Sequence, residues 1–261
     1  MELMEVKDLG YDYNSHIVLE GINVEIRKGE ILGILGLNGC GKTTLLRNLN
    51  RNLSPGSGCI LLDGSDIADI SKKDIAKRVA VVPQTNEVSF SFTVRDVVSM
   101  GRMPFQGMMS GCSKEDEEII DRALEQTGLT RYADRDISNM SGGERQRVII
   151  ARAIAQTPDV LLMDEPTLHL DINMQFEVLD LVKELSEKND LTVAIVSHDL
   201  PMVARYCDRM VLIKDHRIYA SGTPDVVLTP ENMREVFGID ARFEVDERGN
   251  NTVRLYGAYR P

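Results

Sequence analysis

The segment Gly36-Leu37-Asn38-Gly39-Cys40-Gly41-Lys42-Thr43 sets a glycine, four residues and then a Gly-Lys-Thr triplet, with Thr44 directly following. A polyphosphate is the partner that this pattern suits. Glycines let backbone N–H groups wrap phosphate oxygens, and a helix beginning at the loop adds the positive end of its dipole. Lys42 can then reach the β and γ phosphates, and Thr43 can offer its hydroxyl to Mg²⁺. A turn of this composition with a purely structural role is the competing reading. The flanks argue against it, because Ile31 to Leu35 reads as a strand and Lys42 to Asn50 as a helix, the setting that a phosphate loop requires.

A second candidate follows downstream. Val160-Leu161-Leu162-Met163-Asp164-Glu165 is an apolar strand that ends in two carboxylates. Phosphoryl transfer needs one acid to hold the metal, and Asp164 suits that role. It also needs a group to orient or deprotonate the attacking water, and Glu165 suits that one. Taken alone, acids at a strand end are ordinary solvated ends, so the reading draws its force from the loop.

Charge and composition bound the rest. Lys plus Arg total 30 against 41 Asp plus Glu, a net charge of −11. An acidic surface opposes the counterion release that drives nucleic-acid binding, so no nucleic-acid partner is expected. A hydrophobic content of 43% with 9 Pro excludes collagen-like and disordered chains. The apolar runs are broken by charge far short of a membrane span, and no secretory signal opens the chain. Cys40, Cys59, Cys112 and Cys207 stand far apart without a Cys-x-x-Cys pair, which fits reduced thiols in the cytoplasm. Cys40 sits at a helix start, where a thiol can become acidic. It is therefore a candidate for ready alkylation that ATP would block, or simply a small side chain at a variable position.

The elements that must position these residues follow from local patterns. Leu3 to Leu9, Ile22 to Arg27 and Ile31 to Leu35 read as strands with an antiparallel opening. Ile60 to Leu62, Val79 to Val82, Val160 to Met163 and Val193 to Val196 read as strands buried on both faces, as in a parallel sheet under helices. Between Val82 and Val160 the pattern turns helical and suggests an insertion. Ser113 with Asp116 opens one helix as a capping box, and Ile119, Ile120, Ala123 and Leu124 give it a core face. The glycine- and methionine-rich stretch from Met100 to Ser113 reads as a surface loop. Near the end come a helical stretch from Glu231 to Phe237 and a hairpin from Phe243 to Tyr256 that turns at Gly249-Asn250.

Met140-Ser141-Gly142-Gly143-Glu144 decides among nucleotide machines. With it the chain resembles the ATPase subunits of ABC transporters, whose signature is Leu-Ser-Gly-Gly-Gln. Ser141, Gly142 and Gly143 match it, and Met140 and Glu144 depart from it. The resemblance implies that this motif starts a helix and contacts ATP bound to a second subunit. A Ser hydroxyl and two glycine amides at a helix start would form a second anion site, although a plain Ser-capped helix start reads the same way.

The remaining family elements appear in order. The resemblance makes Gln84 the glutamine that senses Mg²⁺ and water, His198 the switch histidine at the γ-phosphate, and Asp171 part of the loop that joins two subunits, where Leu168 replaces the frequent Ser. Tyr13 stands where the family stacks an aromatic on adenine, with Tyr11 as close competitor. The fold class implied is an α/β phosphate-loop ATPase core, mainly a parallel sheet with helices plus an antiparallel β subdomain, and an inserted α-helical subdomain at about 85–140. Residues 1–240 would form the ATPase domain and 241–261 a hairpin-like extension.

Gly101-Arg102-Met103-Pro104-Phe105-Gln106-Gly107 and the tail from Leu228 to Gly238 resemble the subfamily that serves iron-siderophore, haem and cobalamin importers. The expected protein is thus a Mg-dependent ATPase that couples hydrolysis to import. It would pair with itself on binding ATP and dock a membrane permease through the region from Gln84 to Met109. It would lie peripherally on the cytoplasmic face of the membrane and never touch the cargo. A soluble ABC ATPase, for example in iron-sulfur assembly, is the alternative, and intact Lys42, Glu165 and His198 argue against a module that does not turn over.

Overall fold

The computed structural model describes residues 2–84, 91–107 and 111–260. In chain order the elements are β1 (Glu2–Tyr13), β2 (His16–Arg27), β3 (Ile31–Gly36), α1 (Lys42–Leu49), β4 (Ser57–Leu62), β5 (Ser65–Asp66), α2 (Lys72–Arg78), β6 (Val79–Val82), α3 (Val94–Ser99), α4 (Lys114–Gln126), α5 (Gly142–Ala155), β7 (Val160–Asp164), α6 (Ile172–Asn189), β8 (Thr192–Val196), α7 (Leu200–Tyr206), β9 (Arg209–Lys214), β10 (Arg217–Gly222), α8 (Pro224–Val227), α9 (Pro230–Phe237), β11 (Ile239–Val245) and β12 (Asn251–Ala258). They fall into two compact units, residues 1–70 with 192–261 and residues 71–191.

In the first unit β3 is buried along its whole length, because Ile31-Leu32-Gly33-Ile34-Leu35 offers no polar face. It departs from the antiparallel opening expected of it: it lies parallel to β8 on one side and to β9 on the other, and β9 turns back antiparallel into β10. A separate antiparallel sheet runs in the order β2-β1-β4-β5. The strand from Ile60 to Leu62 belongs to this second sheet, not to a parallel one. It pairs antiparallel with β1 from Met4↔Leu62 to Lys7↔Cys59, and only Ile60 and Leu62 are buried while Leu61 is half-exposed. Three apolar residues in a row hide that alternation. The hairpin of β11 and β12 closes the chain, with Ala241 and Val253 buried.

The second unit holds the parallel pair β6 and β7, in register from Val79↔Val160 to Val82↔Met163, with helices α2 to α6. The box at Ser113 forms as the spacing predicts. Ser113 Oγ accepts the Asp116 N–H at 3.1 Å and Asp116 accepts the Ser113 N–H at 3.0 Å, while Ile119, Ile120, Ala123 and Leu124 are buried.

The stretch from Met100 to Ser113 departs from the expected surface loop. Met100–Arg102 is a tight helical turn, and Arg102 is 5% exposed. Its guanidinium donates to Asp116 at 2.8 Å and to the Ala155 carbonyl at 2.8 Å, and it stacks on the Phe105 ring at 3.8 Å. Gly101 precedes it because a Cβ there would stand 2.2 Å from the Arg152 carbonyl oxygen. Residues 108–110 lie outside the described residues.

The Ser113 N–H, then Arg102, hold the Asp116 carboxyl below the usual carboxylate range. Removing Arg102 leaves that carboxylate with Ser113 alone. Arg102→Ala is expected to cost about 3 kcal/mol, the low end for breaking a buried pair because Ser113 stays in place. Arg102→Lys should fall between, since it keeps the charge without the planar fork. Urea titration followed by hydrogen exchange in α4 measures both.

Candidate functional site

In the first unit the phosphate loop leaves β3 at Gly36 and ends at the first turn of α1. Gly41, the residue ahead of that helix, has φ 108 and ψ 3. A Cβ on it would lie 2.7 Å from the Val18 carbonyl oxygen and 2.6 Å from Leu19 Cδ2, so only glycine fits against β2. Gly36 meets β9 in the same way, since a Cβ on it would lie 2.4 Å from the Ile213 carbonyl oxygen and 2.6 Å from Cys40 Sγ. The loop is thereby seated on backbone at both ends. Between them Leu37, Asn38 and Gly39 are exposed. Lys42 Nζ donates to the carbonyls of Gly36 at 2.8 Å and Leu37 at 3.1 Å, which curls the loop around its own ammonium group. Thr43 is half-buried, and Thr44 is buried with its carbonyl accepting Asn48 Nδ2 at 2.8 Å.

His198 enters this same loop end by strand pairing. Ile34 of β3 pairs with Val196 of β8, and the Ser197 N–H donates to the Ile34 carbonyl at 3.3 Å. His198 then stands exposed, between Ser197, whose Oγ accepts the Asp199 N–H at 3.0 Å, and Asp199, which caps α7 through the Met202 N–H. Tyr13 sits at the tip of β1, paired with His16 across the turn. The residue is 40% exposed, and its ring meets the ring of the half-buried Tyr11 edge-on at 4.9 Å.

In the second unit Asp164 is the last residue of the fully buried β7. Glu165 follows with φ 50, a left-handed conformation unusual for a non-glycine residue, and is buried. The β6–β7 ladder ends at Val82↔Met163, so Pro83 and the exposed Gln84 leave β6 at the same end at which Asp164 and Glu165 leave β7. The chain then turns tightly, with Leu168 N–H on the Glu165 carbonyl and Leu170 N–H on the Thr167 carbonyl, to the exposed Asp171 that begins α6.

Ser141 begins α5 in the same unit. Its Oγ accepts the Glu144 N–H at 3.3 Å, and Glu144 accepts the Ser141 N–H at 2.9 Å. The departure at Glu144 thus closes a capping box, a role the Ser-x-x-Glu spacing could have announced. The Ser141 N–H, then its hydroxyl, hold the Glu144 carboxyl below its usual range. The Ser141 hydroxyl is thus engaged within the box, accepting the Glu144 N–H and facing the Glu144 carboxylate. The two glycines differ. A Cβ on Gly143 would strike Met174 Sδ at 2.9 Å, whereas one on the exposed Gly142 would meet only Leu170 Cδ2 at 3.5 Å. Gly143 seats α5 on α6, and Gly142 keeps its amide open.

Cys40 departs from the reactive thiol that its helix position suggests. Burial pushes its thiol up, and the nearby Lys42 charge offsets this only in part. Cys207, also buried, is pushed up further, and Cys112 is exposed. Iodoacetamide is therefore expected to alkylate Cys112 well before Cys40. In a Cys112→Ala variant, peptide mapping should find Cys40 slow to label whether or not ATP is added.

The ABC transporter family model matches residues 19–168. The chain is 43% identical to the petrobactin import ATP-binding protein FpuD of Bacillus anthracis, over 93% of this chain and 89% of that one. It is 41% identical to the iron(3+)-hydroxamate import ATP-binding protein FhuC of Bacillus subtilis, over 98% and 95%. Among solved structures it superimposes on cbiO1 from Clostridium perfringens, part of the ABC transporter complex cbiONQ, with a TM-score of 0.80, 33% identity, and coverage of 90% and 93%. A phosphate loop seated on backbone, a capped second helix start with an open glycine amide, and relatives that match over most of both chains lead to one conclusion: this chain belongs to the ABC transporter family, as an ATP-binding subunit that hydrolyses ATP.

Proposed function

We propose that the chain is the energy-coupling subunit of an importer for an iron-siderophore, haem or cobalamin-type chelate. The observation that carries the reading is that one chain presents two open helix-start anion sites, the Lys42 loop at α1 and Ser141-Gly142 at α5. A single nucleotide of one subunit needs only the first, so the second is free to serve a nucleotide held by another copy. Relatives that are ATP-binding proteins for petrobactin import and for iron(3+)-hydroxamate import support the cargo class.

The residues present fit Mg-ATP. Gly36, Leu37, Asn38, Gly39, Cys40, Gly41 and Thr44 form the cradle, Lys42 neutralises the β and γ phosphates, and Tyr13 faces the adenine. Thr43, Asp164 and Gln84 are the groups that would hold Mg²⁺, which when bound neutralises charge building on the phosphate oxygens. Glu165 orients and deprotonates the attacking water, and His198 contacts the γ-phosphate. Ser141, Gly142, Gly143 and Glu144 of a second copy complete the enclosure, with Asp171 linking the copies. Most catalysis in a loose phosphoryl transfer is positioning and charge stabilisation, so completing the enclosure gates the reaction. The inserted helical part, about 85–140, takes the permease. Met103, 64% exposed, and Phe105, 38% exposed, are its described apolar contacts, while residues 85–90 and 108–110 of the docking region lie outside the described residues. The protein then works peripherally on the cytoplasmic face of the membrane, and the cargo does not touch it.

Glu165→Gln should lower ATP turnover by roughly 10²- to 10⁴-fold, the usual worth of a general base, and accumulate as an ATP-bound dimer on light scattering. A monomeric variant at saturating Mg-ATP would refute the paired mechanism. Lys42→Ala should lose nucleotide affinity in equilibrium binding. Tagged protein from gently solubilised membranes should recover a polytopic permease, and Met103→Asp with Phe105→Asp should abolish that recovery. Soluble partners alone, with ATPase activity intact, would favour the soluble ABC ATPase.

A further inference from the structure

A turn remote in sequence from the phosphate loop reaches it through one carbonyl oxygen. β9 and β10 are joined by Asp215 and His216 with φ 48 and 68. Two left-handed residues suit the twist of a tight hairpin, and Asp and His tolerate that conformation better than most. His216 does more than turn the chain. Its carbonyl accepts the Glu20 N–H at 2.8 Å, and its Nδ1 donates to the Val18 carbonyl at 3.2 Å. The next residue, Arg217, pairs with the Glu20 carboxylate. Three contacts thus grip the short run of β2 from Val18 to Glu20.

That run is where the phosphate loop rests. The Val18 oxygen that accepts the hydrogen bond from His216 Nδ1 is the same oxygen that leaves no room for a Cβ on Gly41. Gly41 in turn precedes Lys42 and begins α1. The same strand leads back from Val18 to His16, which pairs with Tyr13.

We propose that His216 is a positioning residue for the nucleotide: it holds β2 against Gly41, so that the start of α1 keeps its phosphate-receiving conformation and the Tyr13 arm keeps its place. The inference rests on ATP being the ligand of this loop. A turn that merely closes its own hairpin is the rival explanation.

The two separate in nucleotide binding. His216→Gly removes the imidazole donor while relaxing the left-handed backbone, and His216→Asn keeps an N–H at the same branch and tolerates that backbone. His216→Gly is expected to raise both KM for ATP and Kd for a fluorescent ATP analogue roughly three- to tenfold, the effect of one net hydrogen bond, with kcat changed less than about twofold. His216→Asn should restore both to within about twofold of the unmodified protein. Unchanged KM and Kd in the glycine variant, or equal impairment in both variants, would overturn the proposal. Should the glycine variant fail to fold, Glu20→Gln, which loosens the same run of β2 from its other contact, must raise Kd or the proposal fails. Failure of the unmodified protein to bind the analogue would instead refute ATP as the ligand.

Discussion

The close approach of backbone to backbone at Gly41 is the constraint on which the first unit is arranged. With the Val18 oxygen 2.7 Å from where a Cβ would be, the loop can sit on β2 only without a side chain. That seat fixes where α1 begins. It also lets Lys42 fold back onto the Gly36 and Leu37 carbonyls. Gly36 does the same against Ile213 of β9, so the loop has little room to move at either end while its middle stays exposed. A loop prepared in this way loses less conformational freedom when it closes on an anion, which is how preorganisation raises affinity.

The second unit uses a different device for a related end. Here a helix start at Ser141 is built with its own cap. Glu144 ties the Ser141 N–H and engages the Ser141 hydroxyl within the first turn of α5. Gly143 lets α6 approach, and Gly142 keeps the surface amide bare. Arg102 holds the adjoining helices from beneath, linking Asp116 of α4 to the Ala155 carbonyl at the end of α5. A buried guanidinium is costly to desolvate, and the Asp116 carboxylate, the Ala155 carbonyl and the Phe105 ring are what make it tolerable. The segment carrying the exposed Met103 and Phe105 is therefore anchored at Arg102, with an apolar surface set on a rigid base.

Much of this could be read from residue order alone, because it depends on local chemistry. Strand, glycine loop and helix appear consecutively around Gly36 to Lys42, two acids close a strand at Asp164 and Glu165, and Ser113 with Asp116 spells a capping box. Each needs only neighbours within a few residues. The parallel strands β6, β7 and β8 were legible for the same reason, since burial on both faces leaves an unbroken apolar run, whereas β3 shows the same run but reads with the antiparallel opening until its pairing with β8 and β9 is seen. What residue order left open were matters of pairing between distant segments. Ile60 to Leu62 has the same short apolar run, and only its antiparallel partner β1 shows that it belongs to another sheet. Arg102 looks like a surface charge until Asp116 is found beside it. Cys40 looks activated until its burial is seen. His216 carries no local signal at all, since its partner Val18 lies on a strand almost at the other end of the chain. Residue order therefore sets the chemistry on offer, whereas which groups are buried, which are exposed and which carbonyl each donor meets are fixed only in the fold, because desolvation and hydrogen bonding depend on what lies within a few ångströms in space and not along the chain.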